Sequence, residues 1–195
     1  ANIGDTQEFL QQYDAAKKSV EGLGDNANVQ FNYNNDKGWQ VSVDNKTFNA
    51  TDIQELGMTF GTNEEGKATV SIQGYDQPIQ VSSIPNTNTF INDYKKAQDL
   101  SGQTQDAATG TLGLNFDEGT NKWQVTYEDG QGNTQGINVG NINDSKAFAD
   151  DYKKGREITR GNDDFGMTYN NGSWNVTYNN GTQDKSINVA NIGDT

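Results

Sequence analysis

The chain has 195 residues, of which only 31% are hydrophobic, and a formal charge of -13. That balance excludes the Lys/Arg-rich surface that a nucleic-acid backbone or an anionic membrane needs. The absence of Cys and His excludes disulfides, thiolate nucleophiles and thiolate metal sites, and it removes the commonest general base.

A mean hydropathy of -0.93 leans towards disorder, but eight Phe, eight Tyr and three Trp are what disordered chains lack. A folded chain with small cores is expected. No apolar run approaches the ~18 residues of a membrane span, and no signal peptide opens the chain, so membrane insertion is not expected. An acidic, Cys-free chain rich in Asn, Gly and Thr has the composition of exported bacterial proteins. The expected location is extracellular, on the bacterial surface or secreted, with any export address outside this segment or removed.

The first letters, ANIGDT (Ala1 to Thr6), return as the last, Ala190 to Thr195. This predicts a length of a repeating array, cut in register. A first helix follows, with Phe9, Tyr13, Ala16 and Val20 on one stripe. Asp5 or Thr6 is its expected cap, and Lys17–Lys18 stands at its C-terminal end, as the helix dipole prefers. A first meander comes next: Phe31–Tyr33, the turn NDKG, Trp39–Val41–Val43, and a closing triplet Phe48–Ala50–Ile53. Only Gln54–Glu55 then intervenes, too short for a helix, before a second meander of Met58–Phe60, NEEG, Ala68–Val70–Ile72 and Ile79–Val81–Ile84. The second helix repeats the first as Ile84–Phe90–Tyr94, with Thr87 or Asn88 as cap and Lys95–Lys96 towards its end. The third meander is Leu114–Phe116, Trp123–Val125–Tyr127, EDGQGN and Ile137–Val139–Ile142. The third helix is Ile142–Phe148–Tyr152, with Asp144 or Ser145 as cap and Lys153–Lys154. The fourth meander is Met167–Tyr169, Trp174–Val176–Tyr178 and Ile187–Val189–Ile192, with an Asn-Gly hairpin signal at Asn170–Gly172 and another at Asn179–Gly181.

The period of two in each strand predicts one buried and one solvated face. The fold class is therefore α+β: tandem three-stranded antiparallel meanders, three of four preceded by one amphipathic helix, in an elongated array of small modules. The domains divide as 1–84 (helix plus two meanders), 85–142 and 143–195 (helix plus one meander each). A lone meander of ~30 residues is marginal, so each helix is expected to cover a meander's apolar face. In the first module the two meanders facing each other under one helix is the alternative.

Trp39, Trp123 and Trp174 share one repeat position and are the candidate site residues, either as platforms for sugars or as core. Each is in phase with the Val two residues on, which favours the core. Tyr33, Tyr127, Tyr169 and Tyr178 read the same way. The acidic pairs Glu64–Glu65, Asp117–Glu118 and Asp163–Asp164 fall at turns and read as solvated charge. A glycosidase would need two carboxylates from different repeats facing one cleft. Oxygen-rich loops such as NYNNDKG and FDEGTNK suit calcium, yet none has the spacing of a known calcium loop, and no cofactor is expected. GLG at Gly22–Gly24 follows a helix instead of opening one, so it is no phosphate loop.

INVANIGDT with its following helix, and a hairpin such as VQFNYNNDKGWQVSV, resembles the strand–helix–strand–strand repeats inserted in the outer regions of bacterial flagellins and hook-associated proteins. Repeat modules of bacterial surface adhesins share the pattern. The resemblance lies in the apolar positions. The long terminal helices of that family are absent, and its Ala, Leu and Ile helix stripe is replaced by Phe and Tyr. It implies a non-enzymatic structural module: a spacer, filament-surface or matrix element whose partners are neighbouring repeats or copies of itself. The alternative is an adhesive module for host or matrix glycan or protein, assisted by calcium.

Overall fold

The computed structural model describes residues 6–105 and 110–193. Ile3, Asp5 and the last two letters of the closing ANIGDT lie outside the described residues. Four three-stranded antiparallel sheets, each in simple sequential order, alternate with helices. The fold is α+β with tandem meanders, as the periodicities indicate. Two compact units divide the chain, residues 1–91 and 92–195. The sequence repeats divide at 84 and 142.

In the first unit α1 (Thr6–Ser19) precedes a sheet of β1 (Val29–Asn34), β2 (Gly38–Val43) and β3 (Lys46–Asn49). A two-residue turn at Asp44 and Asn45, both at positive φ, joins β2 to β3 in the form whose twist matches the strands. The next sheet is β4 (Thr59–Thr62), β5 (Ala68–Ile72) and β6 (Tyr75–Gln80). α1 touches β2 and reaches β4, and Phe48 meets Phe60 across the two meanders at 5.0 Å. After α1 the chain runs beside β4, where Gly22 bridges Gly61 and a Cβ on Gly22 would lie 2.7 Å from the Phe60 carbonyl oxygen. That contact covers a strand edge that would otherwise be open to pairing.

Between the two meanders the structure differs from the sequence reading. Ala50–Glu55 forms a short helix, α2. Ala50 and Ile53 are the last two members of the first closing triplet, and both are buried on one face of it. Gly57, at φ +55, ends the helix: the Met58 N–H donates to the Ile53 carbonyl at 2.9 Å and the Gly57 N–H to that of Gln54, a Schellman closure that needs the left-handed residue. The other three triplets also turn after their first member. Val81–Ser83, Val139–Asn141 and Val189–Asn191 are single 3-10 turns, so only Ile79, Ile137 and Ile187 sit on strands. Asn138 and Asn188 accept the N–H two residues on, which accounts for the Asn in both INV words.

α3 (Thr87–Gln103) leads to β7 (Gly113–Asp117), β8 (Lys122–Glu128) and β9 (Thr134–Asn138). α4 (Ser145–Thr159) leads to β10 (Phe165–Asn170), β11 (Ser173–Asn179) and β12 (Asp184–Asn188). Asp144 caps α4 by accepting the Ala147 N–H at 2.9 Å. For α3 the same bond, from Thr89, goes to Asn86, one residue before the expected candidates. Both helices run on past their Lys pairs, so Lys95–Lys96 and Lys153–Lys154 lie mid-helix and not in the last turn. Asn171 and Gly172, at φ 53 and 79, make the expected two-residue hairpin. Asn179–Gly181 instead belongs to a longer loop, because β11 and β12 stop pairing at Asn179 and Asp184. No described helix is long and apolar enough to cross a membrane.

Candidate functional site

Each module that has a Trp builds the same box of rings. In the fourth, Phe148 and Tyr152 of α4 stand 5.1 Å from Trp174 of β11, and Tyr169 of β10 stands at 5.0 Å. The i, i+4 spacing sets the two helix rings on one stripe, and the register pairs Tyr169 with Trp174 across the strands. The Trp174 indole N–H donates to the Phe148 carbonyl at 3.0 Å. The third module repeats the box around Trp123, with Tyr94 at 4.8 Å and Phe116 at 5.3 Å. Trp123 and Trp174 are each 1% exposed, and no sugar can stack on a face that no solvent reaches.

The first module has the same four rings in a looser state. Phe9, Tyr13 and Tyr33 surround Trp39 at 5.3, 4.8 and 5.5 Å, yet all four are only half-buried. Leu10 and Phe31 beside them are exposed. The Trp39 indole N–H finds no partner among the described residues. Gln12 supports this box from within the helix. Its Oε1 accepts the Trp39 backbone N–H at 3.1 Å, and its Nε2 donates to Glu8 at 2.9 Å. A Cβ on Gly38, at φ +72, would lie 2.1 Å from that Oε1, so the Gly of NDKG makes room for Gln12 as well as turning the chain.

Tyr127 serves a different purpose from the other strand tyrosines. It extends from β8 of the third meander onto Trp174 of the fourth, rings edge to face at 4.9 Å and 83°. Its hydroxyl accepts the Tyr169 N–H at 3.1 Å. Beside it the turn after β8 comes so near β10 that a Cβ on Gly130 would lie 2.4 Å from the Gly166 Cα. The third meander thus closes the box of the fourth. Tyr33, Tyr169 and Tyr178 are half-buried.

One lysine of each Lys pair has a defined task. Lys96 donates to the Ile142 carbonyl, and Lys154 donates to the Ile192 carbonyl. Each bond ties a helix to the last residue of its own module's closing triplet. Asp93 and Asp151, one residue before the box tyrosines, are pushed above the ordinary carboxylate range by burial, against the pull of Lys96 and Lys154.

The carboxylates are dispersed among turns. Glu65 pairs with Lys67 at 2.6 Å in solvent. Asp117 accepts from the Gly119 N–H and the Thr120 hydroxyl. An open depression of about 580 Å³ alongside Tyr127 does bring Asp129 of the third meander to one rim with Asp163, Asp164 and Asp184 of the fourth. Asp129, however, is committed to its own turn. Its Oδ1 accepts the Gln131 and Asn133 N–H groups, each at 2.9 Å. The Asn133 N–H holds its carboxyl below the usual range, the wrong direction for a proton donor. Among the described residues no group of three or more acidic side chains is placed to hold a metal ion.

Fold and site together define a class: an α+β tandem-repeat protein whose Trp-bearing modules each hold a cluster of rings, the last of them closed by the meander before it. The chain matches no protein-family model, no curated protein and no solved structure.

Proposed function

We propose that the chain is a non-enzymatic structural module of an extracellular bacterial repeat protein, a spacer, filament-surface or matrix element. The observation that carries this reading is the reuse of one arrangement within the modules. A helix tyrosine and a strand aromatic pack on each of Trp39, Trp123 and Trp174, and the lysine clamp recurs at Lys96 and Lys154. Repeat arrays gain stability from each unit and from each neighbour contact, and here the most distinctive side chains serve those two ends. The acidic surface keeps such an array soluble and resists non-specific adhesion to anionic partners. A polyclonal antibody against the chain is expected to label intact cells of the producing organism, and brief external protease treatment to remove the signal. Labelling that appears only after lysis would overturn the proposal.

A further inference from the structure

We infer that the open aromatic box of the first module receives the fourth meander of a second copy of this chain, in the way that the fourth module's box already receives the third meander. The inference rests on the structural reading above and adds a partner and a surface to it.

The junction between the third and fourth modules is the template. On its donor side are Tyr127, four residues after Trp123, and Gly130, seven after, with Ile137 on the next strand. On its acceptor side are Trp174 and Tyr169, in a module where Ala149, the residue after the helix Phe, is fully buried. All are in contact or buried: Tyr127 stands on Trp174, Gly130 is against Gly166, Ile137 is 7% exposed and Ala149 fully buried.

The fourth meander repeats the donor side in a more exposed state. Tyr178 and Gly181 follow Trp174 by the same four and seven residues. Tyr178 is half-buried, with Phe165 at 6.1 Å, a Cβ on Gly181 would meet nothing within 4 Å, and Ile187 is 43% exposed. The first module repeats the acceptor rings, with the exposed Gln30 at the register position of Gly166. Trp39 and Tyr33 face each other in the register of Trp174 and Tyr169, but Trp39 is only half-buried whereas Trp174 is 1% exposed. Leu10, the residue after Phe9, is 52% exposed, whereas its counterparts Ile91 and Ala149 are 3% and 0% exposed. One chain therefore carries both halves of a joint it makes internally, each more exposed than in the template.

In the joined state Tyr178 of one copy lies edge to face on Trp39 of the next and its hydroxyl accepts the Tyr33 N–H. Ile187 and Leu10 lose their exposure. The two faces are different surfaces, so the contact is head to tail and can propagate. At -13 per copy the copies repel, so salt strengthens the association.

The test uses the whole chain with Leu10→Lys, which blocks the acceptor, and Ile187→Lys, which blocks the donor. Both sites are exposed, so the monomer fold is preserved, and circular dichroism checks it. In sedimentation velocity from 10 µM to 1 mM (about the range in which weak repeat contacts are seen), wild type is expected to grow beyond a dimer with concentration. Each variant alone stays monomeric, with association weakened roughly tenfold or more for a charge placed in an apolar contact. An equimolar mixture of the two stops at the dimer, because one intact donor and one intact acceptor remain. The chain has no Cys, so Leu10→Cys mixed with Ile187→Cys gives a second readout, an intermolecular disulfide on mild oxidation. A wild-type chain that stays monomeric at 1 mM in high salt overturns the inference, as does association that both lysine variants retain, or a mixture that stays monomeric. None of these results bears on cell-surface labelling, so the docking and the structural role fail separately.

Discussion

Tyr127 offers a measurement of how much one meander contributes to its neighbour. Tyr127→Phe keeps the ring on Trp174 and removes the acceptor of the Tyr169 N–H. A net hydrogen bond of this kind contributes ~1 kcal/mol. Tyr127→Ala also removes the buried ring, and truncating a buried aromatic costs ~3–5 kcal/mol, with ~0.5–1.5 kcal/mol of that in the edge-to-face pair. A unit of this size holds ~5–15 kcal/mol in all, so the alanine variant folds with a much reduced margin. With a urea m-value of ~1–3 kcal/mol per molar, its midpoint falls by on the order of 1–5 M. Tyr178→Ala is the internal control: the same residue at the same repeat position, but half-buried, and expected to cost ~1 kcal/mol or less in the monomer. Urea titrations followed by far-ultraviolet circular dichroism at 2 µM (roughly a dilution that suppresses micromolar association) give all three values. If Tyr127→Ala costs no more than Tyr178→Ala, the third meander does not close the fourth box and the reasoning fails.

Other outcomes follow from the same geometry. Lys154→Met, which keeps the stem and removes the clamp on the Ile192 carbonyl, is expected to lower stability by ~1–2 kcal/mol and to raise hydrogen exchange around Val189–Ile192; unchanged exchange there would contradict the clamp. Asp129 has a folded pKa below its unfolded one, set first by the Asn133 N–H, so its stabilisation is present above the unfolded value and is lost as pH falls through the folded one. Asp129→Asn should therefore be less stable than wild type at pH 7 and equal to it in strong acid; a constant difference across pH would refute this. Asp151 has the opposite sign, raised first by burial, so Asp151→Asn is expected to match or exceed wild type at pH 7, and a clear loss in thermal midpoint would show that its charge is needed. Acrylamide should quench Trp39 more than the buried Trp123 and Trp174, so that Trp39→Phe abolishes the quenchable fraction of the fluorescence; an undiminished fraction would place the exposed indole elsewhere.

The meanders and boxes were legible because they rest on short-range rules. Alternation puts Trp174 and Val176 on one face, and i, i+4 spacing puts Phe148 and Tyr152 on one stripe, whatever the rest of the chain does. α2 was not legible. Its six residues (Ala50–Glu55) have no pattern of their own, and the helix is fixed by the glycine that ends it and by packing on α1. Gln12 was hidden for a related reason: a polar residue next to an apolar stripe reads as surface, and only the hairpin brought 27 positions along the chain shows what it holds. The difference between Trp39 and Trp174, identical in pattern, was beyond any local rule, since it depends on which neighbouring meander lies on top.

The composition and the boxes explain each other. With 31% hydrophobic residues, the chain cannot fill four separate cores with aliphatic side chains at ordinary density. An aromatic ring buries ~150–250 Å², so a Trp and the rings around it remove from water what several aliphatic residues would, using few positions. The remaining positions are left for the Asn, Gly and Asp that make the turns. Such a core is small, and a meander alone cannot shield it. The fourth module shows the remedy, a tyrosine from the module before it. A low-hydrophobicity repeat of this design therefore gains burial from its neighbour, as Trp174 does from Tyr127.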